Sequence, residues 1–444
     1  MRIVCACAAA LSAQSIHLKS QRIDLSAGAR AAAPGKRLST GRSHVLLQYA
    51  TRPGPDEIAE VMRRGGRVTG YVPDNALVVV AGDNADFSGL GLLSTGRLTA
   101  LDKLSPWLPD SGEATVVAEF HDDVDVADAR AIAAQVGVEI VERKGMRRGH
   151  LLVHGPIEQL RAIAEWDEAA YLFPASPELV RGDDVLACGG PITEAGLIGQ
   201  YVTQGTGWTH SAGQRVDLKY VFGAISGPLS PATAQAEIAR ALQEWPKFGH
   251  LTFAPGTNSS DTRTLYIWFA SADHGDGNPF DGPYGILAHA YYPSPPNPES
   301  IAGDMHLDAA ENWTTAASGG INLFSVALHE AGHALGLAHS DQSGAVMYPY
   351  YHYVTGLAAD DIAGIQALYG AAQIAPTPVS VTPSSGSGAS QTFSFVTSDP
   401  SGYTSLQWVA MDIHSTLSNA SACYLQYHRA TNTLQLATDN GLAW

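Results

Sequence analysis

Eleven consecutive residues, His329-Glu330-Ala331-Gly332-His333-Ala334-Leu335-Gly336-Leu337-Ala338-His339, constrain this chain more than any other feature. On an α-helix, positions four apart lie one turn above each other on the same face. His329 and His333 can therefore offer imidazoles to a single metal ion. Gly336 lets the chain leave the helix through a left-handed turn, which returns His339 to the same point as a third ligand. Three neutral imidazoles leave one tetrahedral position for water, and Glu330, between the two helical ligands, can take that water's proton. The plain alternative is a helix with surface histidines. By chance the five-residue core arises in about 2% of chains with this histidine content, and with Gly336 and His339 added in roughly one in ten thousand. Metal binding is the better reading.

A second cluster points the same way. His274-Gly275-Asp276, His289 and His306 supply three imidazoles and one carboxylate, a closed set suited to a structural zinc. Asp281, Asp308 and Glu311 are hard oxygen donors in Gly-rich surroundings, as calcium prefers. Polar loop residues would account for either cluster alone. The spacing around a predicted strand at Gly285–Ala290 favours metals for both.

The long motif belongs to the metzincins, and its surroundings resemble the matrixins, the matrix-metalloproteinase family, over residues 206–370. Ser340 follows the third histidine. Ala345-Val346-Met347-Tyr348-Pro349-Tyr350-Tyr351 resembles that family's Met-turn, with Met347 beneath the zinc and Pro349–Tyr351 as the outer wall of the S1′ pocket. Astacins place a tyrosine two residues after the methionine; this chain has Pro349. Asn322-Leu323-Phe324 before the motif and Asp360-Asp361-Ile362 with Leu368-Tyr369-Gly370 after it match as well. The resemblance implies a metzincin-type α/β domain with a mixed sheet and an active-site helix. It also implies a zinc endopeptidase with one catalytic and one structural zinc, and calcium held partly by carbonyls of Gly282, Tyr284 and Ile286. Substrate would lie extended along Ile286, Leu287 and Ala288, and Tyr350, Tyr351 and Tyr353 make an apolar P1′ side chain the expected one. One departure is Thr264, where many matrixins have an Asp, so no second calcium is assigned to Asp304.

Length and composition fit such a protein. At ~150 residues per domain, 444 residues make about three domains. The charged fraction is 16% with 45 Gly and 25 Pro, a loop-rich composition that excludes a coiled coil and a wholly disordered chain. A net charge of −17 disfavours nucleic acid as a partner. No apolar run reaches the ~18 residues of a membrane span. Residues 1–15 (one Arg, a short apolar stretch, Ala8–Ala10) resemble a secretory signal, so an exported, extracellular protein is expected. Cys5 and Cys7 would leave with it. Cys188 and Cys423 are too few for a disulfide framework.

Ahead of the peptidase-like region, residues 43–108 and 113–178 read as two similar blocks. Their strand, helix, strand, strand, helix, strand order is ferredoxin-like, and they resemble pro-domains of secreted bacterial peptidases. Residues 179–205 form a switch or activation segment. Within it, Cys188-Gly189 lies where matrixin zymogens place the cysteine that fills the open zinc position. Gly189 and Pro191 match that pattern. The family's charged pair does not: its Arg is Ala187 here and its Asp is Ile192. Residues 371–391 read as a Pro/Ser/Gly linker. Residues 392–444 read as a β-rich, partly sandwich-like module that stops at Trp444 without closing, as part of a larger module would. The expected protein is thus a zymogen of a zinc endopeptidase acting on protein or peptide substrates and restrained by its own pro-region. Two alternatives are a zinc-stabilised extracellular adhesion protein and a peptidase whose residues 43–178 inhibit some other protease.

Overall fold

A computed structural model describes residues 15–19, 22–24, 35–38, 41–183, 186–193, 196–197, 207–294, 296–373, 376–399, 402–416, 418 and 420–443. Residues 1–14 of the expected signal sequence and the stretch 198–206 lie outside the described residues. The chain forms two units, Met1–Ala371 and Ala372–Trp444. No helix among the described residues is long and apolar enough to cross a membrane.

The first unit is built on a seven-stranded sheet. Its strands follow the order Gly196–Leu197, Ala187–Thr193, Ile286–Tyr291, Met305–Asp308, Thr264–Ala270, Val216–Phe222 and Leu251–Pro255. The last four run parallel, and Ile286–Tyr291 runs antiparallel to its neighbour Met305–Asp308. Two helices pack together against this sheet. The first, Pro231–Leu242, starts where the Ser230 side chain accepts the Thr233 N–H, and buries Ala234, Ile238, Ala241 and Leu242. The second, Leu323–Ala334, starts where Asn322 accepts the Ser325 N–H, and every one of its residues is buried. A helix apolar all round has no solvent face, so it runs through the core. Trp245 Nε1–H donates to Leu328 O at 3.2 Å and Trp208 Nε1–H to Ala334 O at 3.0 Å, tying this helix to both flanks.

The two N-terminal blocks each make a four-stranded antiparallel sheet in which the first strand sits between the third and the fourth. The orders are Arg67–Val72, Ala76–Gly82, Arg42–Tyr49, Leu92–Gly96 and Ala169–Pro174, Glu113–Phe120, His150–Pro156, Glu139–Ile140. In the second block both crossovers carry helices, Val126–Val136 and Ile157–Ala162. The first block has only Pro55–Arg63; residues 83–91 make turns instead. An Asp86 carboxylate accepting the Ser88 N–H, and positive φ at Gly89 and Gly91, favour turns over a helix there.

The blocks and the seven-stranded region share one apolar cluster. Leu47, Leu77, Val117, Tyr171 and Phe173 pack with Ala187, Tyr292, Tyr348 and Tyr350. At ~25 cal/mol per Å² of apolar surface, an interface that buries large aromatics is a substantial attachment.

Residues 187–193, expected only as part of a cleavable segment, form a strand parallel to Ile286–Tyr291. Likewise the expected 371–391 linker contains a strand, Thr377–Thr382, antiparallel to Ser394–Ser398. The alternation of Thr377, Val379 and Val381 supports an edge strand despite Pro378. The second unit adds a three-stranded sheet of Trp408–Ile413, Cys423–His428 and Thr433–Leu436.

Candidate active site

Among the described residues two clusters of side chains bring all their ligand atoms within 4.8 Å of one another: Cys188 with His329, His333 and His339, and His274 with Asp276, His289 and His306. In the first cluster His333 Nε2 is 3.1 Å from both His329 Nε2 and His339 Nε2. The opposite nitrogens of the helical pair face carbonyls, His329 Nδ1 donating to Val346 O at 2.6 Å and His333 Nδ1 to Leu337 O at 2.7 Å. A proton fixed on Nδ1 leaves the Nε2 lone pair free for a metal. Burial pushes all three imidazoles below their usual pKa, His329 to about 4, so they are held neutral as ligands must be. Gly336, at φ +98°, makes the turn that brings His339 back. The three histidines thus form a zinc-type site.

Glu330 is fully buried beside them. Burial pushes its pKa up to about 8, opposed first by a hydrogen bond with the Cys188 side chain. Ionising a carboxyl buried this way is costly, and strongly shifted groups of this kind cluster at functional sites. Met347 packs on the active-site helix at Gly332. Its turn is clamped by a residue the sequence reading passed over as part of a matching string: Asp361 accepts the N–H groups of Val346, Met347 and Ala358. A pocket beside Glu330 is walled by Leu287, Val326, Val346, Pro349, Tyr351 and Val354. Tyr351 and Pro349 therefore stand where a pocket wall was expected, and the Tyr351 hydroxyl accepts the Asn322 N–H. Tyr353 is largely exposed and lines no part of it.

The strand expected to receive substrate is covered. Cys188 pairs with Ala288, and Ala187 N–H donates to Gly285 O. On the other side Cys188 N–H donates to Pro349 O and Tyr351 N–H to Leu186 O, so this segment lies between the edge strand and the pocket wall. The Cys188 sulfur accepts the Gly190 N–H at 3.1 Å. Burial and the neighbouring Glu330 charge push its thiol pKa up, and Arg147 is foremost among the groups opposing them.

The N-terminal blocks reach the same place. His150 Nδ1 is 2.8 Å from the Tyr350 hydroxyl, and Tyr348 OH donates to Pro174 O. Asp341 receives the Tyr171 hydroxyl at 2.7 Å and pairs with Lys19 at 2.6 Å. Arg147 bonds to Gly189 O. Tyr348, Tyr350 and Gly189 stood in motifs quoted from the sequence; His150, Pro174, Asp341, Tyr171, Lys19 and Arg147 did not.

In the second cluster, Asp276 Oδ2 lies 2.8 Å from His289 Nε2 and 3.0 Å from both His274 Nε2 and His306 Nδ1. Nearby, Asp308 Oδ2 and Glu311 Oε2 are buried and unpaired. Mutual repulsion with Asp281 adds to the burial that raises the pKa of both groups. The loop between is shaped around these carboxylates: Tyr284 N–H donates to Glu311 and Ile286 N–H to Asp281, both at 2.9 Å. Gly285 leaves no room for a side chain, since a β-carbon there would fall 2.1 Å from Asp281.

A profile of the matrixin family, peptidase family M10, matches residues 208–370. The hatching enzyme of Paracentrotus lividus is 44% identical over 175 residues, which is 38% of this chain and 27% of that protein. Human matrix metalloproteinase-20 is 45% identical over 157 residues, 34% of this chain and 31% of the relative. Human neutrophil collagenase is 44% identical over 161 residues, 35% and 33% respectively. The chain spans about a third of the length of the curated relatives it matches. Residues 208–370 therefore belong to the matrixin family.

Proposed function

We propose that this chain is the zymogen of an exported zinc endopeptidase, held inactive by its own N-terminal region. The observation that carries the reading is the convergence of three neutral imidazoles, with a fully buried Glu330 between the first two. A structural or adhesive zinc site would leave Glu330 without a task.

His329, His333 and His339 fit a catalytic zinc, which when bound supplies a Lewis acid that polarises a scissile carbonyl and acidifies water toward a pKa of ~7. Glu330 acts as general base. It removes a proton from water as the oxygen bonds to the carbonyl carbon, then delivers that proton to the amide nitrogen as the C–N bond breaks. The products are a carboxylic acid and an amine. Ile286, Leu287 and Ala288 hold the substrate backbone extended by strand pairing. The pocket behind Pro349 and Tyr351 takes an apolar P1′ side chain. Relatives named as collagenases and a hatching enzyme make extracellular proteins the expected substrate class.

His274, Asp276, His289 and His306 fit a structural zinc, and Asp281, Asp308 and Glu311 fit calcium, with the Gly282, Tyr284 and Ile286 carbonyls completing the shell. Two unpaired buried oxygens support calcium, since a hard cation would satisfy both. Residues 43–108 and 113–178 act as ferredoxin-like pro-domains. Cys188 is the blocking thiol, its sulfur grouped with the three imidazoles and its strand lying where substrate would lie.

Intact mass followed over time tests this. Wild type with zinc and calcium should release a fragment ending between Gly189 and Gly205, while Glu330→Ala stays whole. If both are cut, another protease activates the chain, and Glu330 is then tested on a peptide substrate. If the chain stays whole and remains inert after artificial trimming, the peptidase reading is lost.

A further inference from the structure

The segment around Cys188 lacks the charges that would fix it. Ala187 is completely buried, at 0% exposure, and leaves no space for a long basic side chain; Ile192 is buried too. A cation is nevertheless present. Arg147 donates from Nη2 to Gly189 O at 3.2 Å, and its Nη1 lies 3.4 Å from His339 Nδ1. One planar guanidinium thus spans the residue after the cysteine and the third histidine.

We propose that Arg147, delivered by the second N-terminal block, is the restraining cation for Cys188, so that latency depends on docking of that folded block and not on charges inside the switch segment. This rests on the reading of Cys188 as the thiol that blocks the zinc site.

The position of Arg147 is set by its own block. It sits in the connection between Glu139–Ile140 and His150–Pro156, where His150 N–H donates to Arg147 O at 3.0 Å. Gly149 takes φ +78°, and a β-carbon there would meet Phe120 O at 2.9 Å, so the turn is pressed onto the neighbouring strand. The same turn ends in His150, bonded to Tyr350 on the pocket wall. The two ends of one turn, Arg147 and His150, therefore reach Gly189 on one side of Cys188 and, on the other, Tyr350, which bridges to Ala187. A cut between Gly189 and Gly205 would leave Gly189 still held by Arg147. Undocking of the block is then a separate step in activation.

Alkylation of the zinc-loaded full chain by iodoacetamide tests the proposal, with each cysteine followed by peptide mass. Glu330→Ala is the background, so that no chain is cut during labelling, and exposed Cys423 is the internal reference. In the parent, Cys188 should react at least a hundredfold more slowly than Cys423. Arg147→Ala and Arg147→Gln should each raise the Cys188 rate at least tenfold, while Arg147→Lys stays near the parent and Arg148→Ala matches it. Thermal melts establish that each variant is folded, and Arg147→Gln decides if Arg147→Ala is not. Equal rates for the parent and Arg147→Gln would overturn the proposal, because that substitution removes the cation. If Cys188 in the parent reacts as fast as Cys423, the zinc-blocking reading itself fails, whatever Arg147 does.

Discussion

Gly332 lies so close to Met347 that a β-carbon on it would come within 2.3 Å of the Met347 sulfur and 2.9 Å of the Trp245 ring. In a helix interior, alanine is usually better than glycine by about 1 kcal/mol. Here the contact should reverse the sign. Gly332→Ala has to push the Met-turn outward, and that turn carries the Val346 carbonyl that fixes the His329 tautomer. We expect a lower melting temperature and zinc affinity reduced about 10–100-fold, as when the partner orienting a metal-bound histidine is lost. Zinc competition with a chromogenic chelator measures this, and unchanged affinity would show that the turn does not orient His329.

Glu330 predicts a separation of activity from stability. Glu330→Gln keeps the shape and removes the base, so the trimmed enzyme should lose about 10²–10⁴-fold in kcat/KM. Metal content should match the parent. The melting temperature should rise, because burial raises the Glu330 pKa to about 8 and an amide has no charged form to bury. A variant that keeps its activity would remove Glu330 from the chemistry.

Calcium should stabilise the chain through Asp281, Asp308 and Glu311. Binding to the folded state alone adds about 2.7 kcal/mol at a concentration one hundred times Kd. Thermal melts with and without calcium should differ for wild type. They should coincide for Glu311→Gln and for Asp281→Asn, each of which removes one charge from the cluster. An equal calcium shift in wild type and both variants would place the ion elsewhere.

The zinc-type histidine cluster was legible because its information is local. His329 and His333 share a helix face, Gly336 turns the chain, and His339 follows within one loop. The surroundings of Cys188 were legible only in half. The Cys-Gly pair stands in the sequence, but the guanidinium arrives from 42 residues away and touches His339 across 192 residues. No periodicity encodes a contact of that kind. Pairing of Ala187–Thr193 with Ile286–Tyr291 escaped for the same reason: a strand's own sequence shows its faces, not its partner. The strand Thr377–Thr382 was missed differently, since Pro and Ser dominated its surroundings and hid a short alternation.

Mild acid should weaken the N-terminal region. His121 stacks on His44 at 3.9 Å, and the His44 ring bridges Asp167 and Asp123, each at 2.8 Å. Burial, reinforced by the His44 and Lys103 charges, holds His121 well below its usual pKa, and burial does the same for His150 against Tyr350. The native state therefore keeps both rings neutral, while the unfolded chain takes up protons below about pH 6.5. The unfolded state then binds more protons, so this part of the stability is present above about pH 6.5 and is lost as pH falls. Each histidine contributes a slope approaching about 1.4 kcal/mol per pH unit. Urea melts of the zinc-loaded Glu330→Ala chain at pH 7.5, 6.5 and 5.5 should show falling stability, and the same series for His121→Phe a shallower fall. The difference between the two slopes isolates His121 from the other groups that titrate nearby. Because His150 follows Arg147 in the same turn, Cys188 alkylation should quicken relative to that of Cys423 over the same interval. Parallel slopes for parent and variant would mean that His121 takes no part in the response to acid.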